Sequence, residues 1–246
     1  MNSQFSSRPI RRRSGLLLLA VVAVATTLLA ANPNPGVAPP NSLPFGASYE
    51  QWGAAWWQWV FSLHNNVPLN PLRTIGDVDC SYGQFGRVWF LVGTVTSGTT
   101  ARSCQIPTGT WLFFPVFNAW SDNVAVSPPV TIKTLKAQAA SYVEVSELHA
   151  SVDGVKVHKL FAYRAASAPF GYTVPALDNM AQYFGADIPG KDWPTTFVFP
   201  AASDGYWLML EPLPLGLHTI TFGGTSKNGF QIDITYTITV VPKGQF

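Results

Sequence analysis

The sequence predicts a mainly β protein, an antiparallel β-sandwich that carries one Trp-rich helix near its N-terminus. Three observations lead there. From Gly86 onward, short β-branched and aromatic runs alternate with Gly, Pro, Ser and Thr, the pattern of strands joined by tight turns. The last run, residues 230–241, places Phe230, Ile232, Ile234, Tyr236, Ile238 and Val240 on one face, and Gln231, Asp233, Thr235, Thr237 and Thr239 on the other. One dry and one wet face belong to an antiparallel sheet that covers a single core. Finally, 47% of the residues are apolar and only 11% charged, against about 25% charged in an ordinary globular chain. A full core can therefore be buried, and uncharged polar groups must cover much of the surface.

The elements follow in chain order. Arg11, Arg12 and Arg13 precede the uncharged run 16–31, and a basic cluster before such a run reads as a signal peptide over residues 1–31. Sec export is the expected route, with Arg12-Arg13-Ser14-Gly15-Leu16 as a twin-arginine alternative. The run is short of the roughly 20 residues that span a bilayer, so a membrane tie is expected only through an uncleaved signal. The predicted locale is periplasmic, secreted or cell-surface. Setting aside Arg8, Arg11, Arg12 and Arg13 leaves 11 basic against 13 acidic side chains, a net charge of −2. Without a basic patch, nucleic acid is not an expected partner. Residues 32–45 are proline-rich and uncharged and read as an extended spacer, with residues 46–246 as a single domain.

Tyr49, Trp52, Trp56, Trp59 and Leu63 recur at steps of three and four, which predicts a helix over 49–63. Ser48 is its expected N-cap and Glu50 suits the first turn. Trp57 and Phe61 form a second apolar strip. Trp52, Trp56 and Trp57 read either as a sugar-stacking or membrane-surface platform or, with both faces buried, as packing against a sheet. Cys80 and Cys104 are the only cysteines. Two thiols in an oxidising compartment pair, which in the chain-entropy model stabilises the fold by roughly 3 kcal/mol.

Residues 87–95 and 110–117 read as strands and residues 130–145 as a further helix. Residues 147–163 read as a hairpin around Asp153-Gly154, a favoured two-residue turn. Its register opposes Val152 to Val155, Ala150 to Val157 and Leu148 to Lys159 on the core side, and Ser151 to Lys156 and His149 to His158 on the other. Residues 205–211, 217–223 and 230–241 complete the strands, a spacing that suits an immunoglobulin-like or jelly-roll-like sandwich.

Asn70-Pro71-Leu72, Gly83-Gln84, Val88-Trp89-Phe90-Leu91, Phe113-Phe114-Pro115, Val152-Asp153-Gly154 and Asp204-Gly205-Tyr206-Trp207-Leu208, with both cysteines, together resemble a family of exported bacterial proteins of no assigned activity. The resemblance covers most of the chain after the spacer and implies export and a shared fold. It supplies no site residues. The last three strands also resemble the closing strands of immunoglobulin-like modules.

Candidate chemistry is sparse. With the expected register, the His149 and His158 rings face each other with Cβ atoms about 5 Å apart. Such a pair can share Zn²⁺ or Cu²⁺ with further ligands, and Glu147 lies two residues along the same face. The alternative is two histidines on a wet sheet face, with no cofactor. Asn118, Asp122 and Asn123 make an oxygen-rich turn that reads as a calcium loop or as turn formers. Asp77 and Asp79 read as a carboxylate pair or a solvated loop. Arg102 and Arg164 read as anion-orienting groups or as partners for carbonyls and carboxylates in the fold. No nucleophile elbow, Walker loop, dinucleotide fingerprint or zinc-protease motif occurs.

Three function classes follow. The leading one is an exported binding or cell-surface module with a glycan or protein ligand. The second is an extracellular hydrolase or lyase using His149, His158, Glu147 or Asp122. The third is a structural matrix or envelope protein.

Overall fold

The computed structural model describes Asn32, Asn34 and residues 36–246, so the expected signal peptide lies outside the described residues. Among the described residues the fold is mainly β, with three α-helices and two sheets packed on each other. In chain order the elements are α1 (Tyr49–Ser62), β1 (Gly76–Asp77), β2 (Val88–Phe90), β3 (Gly98–Pro107), β4 (Trp111–Asp122), α2 (Ile132–Tyr142), β5 (Val145–Val152), β6 (Val155–Lys156), β7 (Arg164–Ala166), β8 (Phe170–Thr173), α3 (Met180–Tyr183), β9 (Phe197–Leu210), β10 (Gly216–Ser226) and β11 (Gln231–Val241). One sheet runs β1-β3-β11-β10-β5-β6, and the other β2-β4-β9-β7 with β8 also on β9.

Both sheets are mixed, which corrects the expectation of purely antiparallel pairing. β3 lies parallel to β11 from Gly98 opposite Ile232 to Pro107 opposite Val241, and β2 lies parallel to β4. A parallel neighbour needs a long crossover rather than a hairpin, and no local pattern in the sequence announces one. The alternation along β11 holds: Ile232, Ile234, Tyr236, Ile238 and Val240 are buried. The hairpin register also holds where β5 and β6 pair, with Ser151 opposite Lys156 and Val152 opposite Val155.

Phe113 and Phe114, adjacent on β4, show how the layers are built, because successive strand residues point to opposite faces. Phe114 meets Phe222 of β10 at 4.8 Å between ring centroids, inside the sandwich. Phe113 stacks on Trp207 of β9 at 5.3 Å on the outer face. Helix α1 covers that outer face. Its Gly53 lies against the Trp207 indole, where an added Cβ would come within 3.1 Å of Cε2, and Trp56 meets Trp207 at 5.7 Å. The helix begins as expected, with Gln51 Oε1 accepting from the Ser48 N–H at 2.9 Å. Its two apolar strips are both buried: Tyr49, Trp56, Trp59 and Leu63 on one, Trp57 and Phe61 on the other.

The proline-rich segment packs instead of acting as a free spacer. Val37 bridges to Leu210, the Ala38 N–H donates to Met209 O at 2.9 Å and the Glu211 N–H to Gly36 O at 2.8 Å. Asn34 is buried, its Oδ1 accepting from the His158 N–H at 2.7 Å. The strand expected over 87–95 is short because the chain leaves the sheet after Leu91, and Val92 N and O both meet the Tyr236 hydroxyl in the opposite sheet. Strand β9 starts earlier than expected, since a proline inside it, Pro200, disguises its first half. Cys80 and Cys104 form a disulfide that ties the loop before β2 to β3.

Candidate functional site

A cleft of about 560 Å³ lies beside the second half of β4. Pro115 and residues 117–122 all line it. Consecutive strand residues alternate faces, so a cavity touching every one of them runs along the strand's edge. That edge is open. β2 pairs with β4 only from Val88 opposite Trp111 to Phe90 opposite Phe113, and beyond that point β4 has β9 on one side alone. A bulge between Pro115 and Phe117 bends the strand where its second neighbour leaves.

The lining is aromatic and amide-rich: Trp56, Trp57, Phe117, Trp120 and Phe230 with Asn118, Gln138 and Asn228. Asp122 is its single charged residue. That carboxylate is committed, accepting from Trp120 Nε1 at 2.9 Å, the Tyr172 hydroxyl at 2.6 Å and the Val124 N–H at 2.9 Å. Burial first, and the neighbouring Asp122 charge second, push the Tyr172 hydroxyl well above the usual phenol range, so it stays a donor. Two donors on the lining have no protein partner although both atoms are buried, Trp57 Nε1 and Asn118 Nδ2. An unpaired buried donor costs about 1–3 kcal/mol.

The residues expected to form sites are distributed otherwise. His149 lies on β5 opposite Gly223, and its Nε2 reaches across that glycine to Asp233 Oδ1 on β11 at 3.2 Å. His158 falls beyond β6, its backbone held by Asn34, and Glu147 is exposed opposite Thr225. The expected Zn²⁺ or Cu²⁺ trio of His149, His158 and Glu147 therefore does not assemble. Among the described residues, no group of three or more His, Cys, Asp or Glu side chains is placed to hold a metal ion. The physical reason is that Asn34 captures the chain at His158 just where a longer β6 would have set the pair.

The platform reading of Trp52, Trp56 and Trp57 is likewise corrected. Trp56 is 2% and Trp57 5% exposed, Trp52 is half-buried with Nε1 donating to Pro44 O, and none of the nine tryptophans is exposed. Stacking on a sugar needs a bare ring face, and these faces are covered by other rings. Trp57 meets Trp120 at 4.6 Å and Trp56 at 4.9 Å. Asn123 is buried and bridges to Val130 N and O, which fits the turn-former reading of Asn118, Asp122 and Asn123 rather than the calcium loop. Asp77 accepts from Ser103 Oγ, and Asp79 from Ser81 N and Oγ. Arg102 donates Nε to Pro71 O and Thr74 O, and Arg164 pairs with Asp204.

Asn118 and Trp57 enter as the unpaired donors of a cleft that sequence reasoning did not find. Pro115 is the signal that could have found it, because proline within a strand is confined to edges and bulges. No family model, curated protein or solved structure matches the chain.

Proposed function

We propose that this chain is an exported binding module whose ligand site is the cleft along β4. The observation that carries the proposal is the edge of β4 itself, which past Phe113 has β9 on one side alone and runs along a cleft lined by Trp120, Phe230, Asn118 and Gln138. The volume lies within the ordinary range of ligand sites, roughly 300–1,000 Å³. Export is supported by the Cys80–Cys104 bridge, since such bonds persist in oxidising compartments. The two packed sheets are a variant of the sandwich shared by immunoglobulin-like and jelly-roll modules, with parallel pairs added. The enzyme reading lacks a convergent acid and base: Asp122 is held by three donors at the cleft, and His149 pairs with Asp233 on the other sheet.

Titration of the mature protein with a pool of blocked, uncharged hexapeptides and, separately, with chitohexaose tests this reading through tryptophan fluorescence. At least one probe gives a saturable change, and Thr94→Trp, which fills the cleft from its loop, weakens that change at least tenfold while His149→Ala leaves it within twofold. Two unresponsive probes, or binding indifferent to Thr94→Trp, overturn the assignment.

A further inference from the structure

Resting on the cleft reading, the geometry points to an extended, uncharged peptide segment as the ligand, bound by adding a strand to the free edge of β4. The backbone carries the first part of the argument. After Leu91 N donates to Phe113 O at 3.1 Å, no backbone hydrogen bond crosses that edge among the described residues. On the opposite side, residues 117–122 pair continuously with β9, from Phe117 opposite Tyr206 to Asp122 opposite Ala201. Alternate N–H and C=O groups of such a strand point away from its partner. Here they point toward the cleft.

The path of the chain supplies the second part. β2 runs parallel to β4 and would continue along it, but Val92 turns to Tyr236 in the other sheet. The cleft is the continuation of β2's line, vacated by β2 itself. A strand of six residues lying there spans about 20 Å, the length of residues 117–122.

The chemistry of the lining supplies the third. Proteins normally blunt an open edge with lysine, inward charge or a covering element. Residues 115–121 carry no charge, and the Asp122 carboxylate is already hydrogen-bonded by Trp120, Tyr172 and Val124. Recessing the edge between helix α2 and the 226–230 turn protects it from another sheet yet admits one strand. Strand addition takes affinity from main-chain hydrogen bonds and selectivity from alternate side chains. Trp120 and Phe230, both partly exposed on the lining, offer apolar surface to ligand side chains. The lining carries no cation, so an acidic segment has no counter-charge to meet, and the single carboxylate, Asp122, is already held by three donors.

The test uses the best binder from a pool of acetylated, amidated hexapeptides built from Ala, Ser, Thr, Val and Tyr. Two versions of that peptide are compared, N-methylated at residues 2 and 4 or at residues 3 and 5. Strand addition requires one set of amides to face β4, so one version weakens at least tenfold and the other by no more than twofold. Bound peptide also slows amide exchange at least tenfold at alternate positions within residues 117–122. Equal effects of the two methylation patterns, or unchanged exchange along β4, overturn strand addition. Chitohexaose binding blocked by Thr94→Trp, with no peptide bound, overturns the peptide and leaves the cleft reading standing. If neither probe binds, both fall.

Discussion

Arg164 donates from Nε and Nη2 to the Asp204 carboxylate, the shortest contact being 2.9 Å. The two partners are unequal, because Asp204 is 6% exposed at its side chain and Arg164 38%. The carboxylate, which also accepts from Gly205 N at 2.7 Å, holds the guanidinium above its already high range. Removing the arginine leaves a buried anion without its counter-charge, whereas removing the anion leaves a cation that can turn to water. Arg164→Met is therefore expected to destabilise by about 3 kcal/mol, and Asp204→Asn by less than half as much, read from urea unfolding midpoints. Equal losses would show that the pair is screened by solvent. Arg164 stands out in the chain as a scarce charge among apolar neighbours. Its partner is not legible there, since Asp204 lies 40 residues away and is brought to it by the β7–β9 pairing.

Strand β10 is the element whose smallest residue carries the most constraint. Gly223 lies between His149 on β5 and Asp233 on β11, and the imidazole crosses the gap its missing side chain leaves. A Cβ at this position would overlap Ile232 O and come within 2.9 Å of His149 Cε1. Gly223→Ala is expected to lower stability by at least about 2 kcal/mol, an overpacking penalty, and to break the His149–Asp233 contact; histidine chemical shifts report the second effect. An unchanged melting temperature would mean that the strand moves aside at no cost. Elements with a clean period are legible from residue order alone: α1 from its three-four spacing, β11 from strict alternation, the β5–β6 turn from Asp153-Gly154. Those lacking a period are not. β3 is mostly Gly, Thr and Ala in its first half, and it becomes a strand because β11 and β1 flank it on both sides. The cleft is legible only in part. Pro115 marks an edge or a bulge, but the edge is left open by a distant segment, the departure of Val92 toward Tyr236.

At the scale of the whole molecule, aromatic burial sets the response to alkali. Burial is the leading reason that the Tyr49, Tyr172 and Tyr236 hydroxyls hold their protons well beyond the ordinary value of 10.0. In the unfolded chain they ionise near that value. The stability contributed by keeping them neutral is thus intact below pH 10 and is lost as pH rises above it. Each such tyrosine contributes a slope of about 1.4 kcal/mol per pH unit, so three give about 4 kcal/mol per unit. Urea midpoints measured between pH 8 and 11.5 should be flat and then fall steeply from pH 10, with the tyrosinate absorbance rising only as the protein unfolds. Tyrosinate appearing in the folded protein would contradict this. The parallel pairing of β3 with β11 has a consequence in time. Ser97 and Gln231, which bond at the start of that ladder, are 134 residues apart, and closing so long a loop slows assembly. A chain threaded outward from its N-terminus would deliver β3 early, with Cys104 already within reach of Cys80, and would then have to wait. The six-stranded sheet closes only when β11 arrives and slides between β3 and β10, so that strand acts as the closing clasp of its sheet.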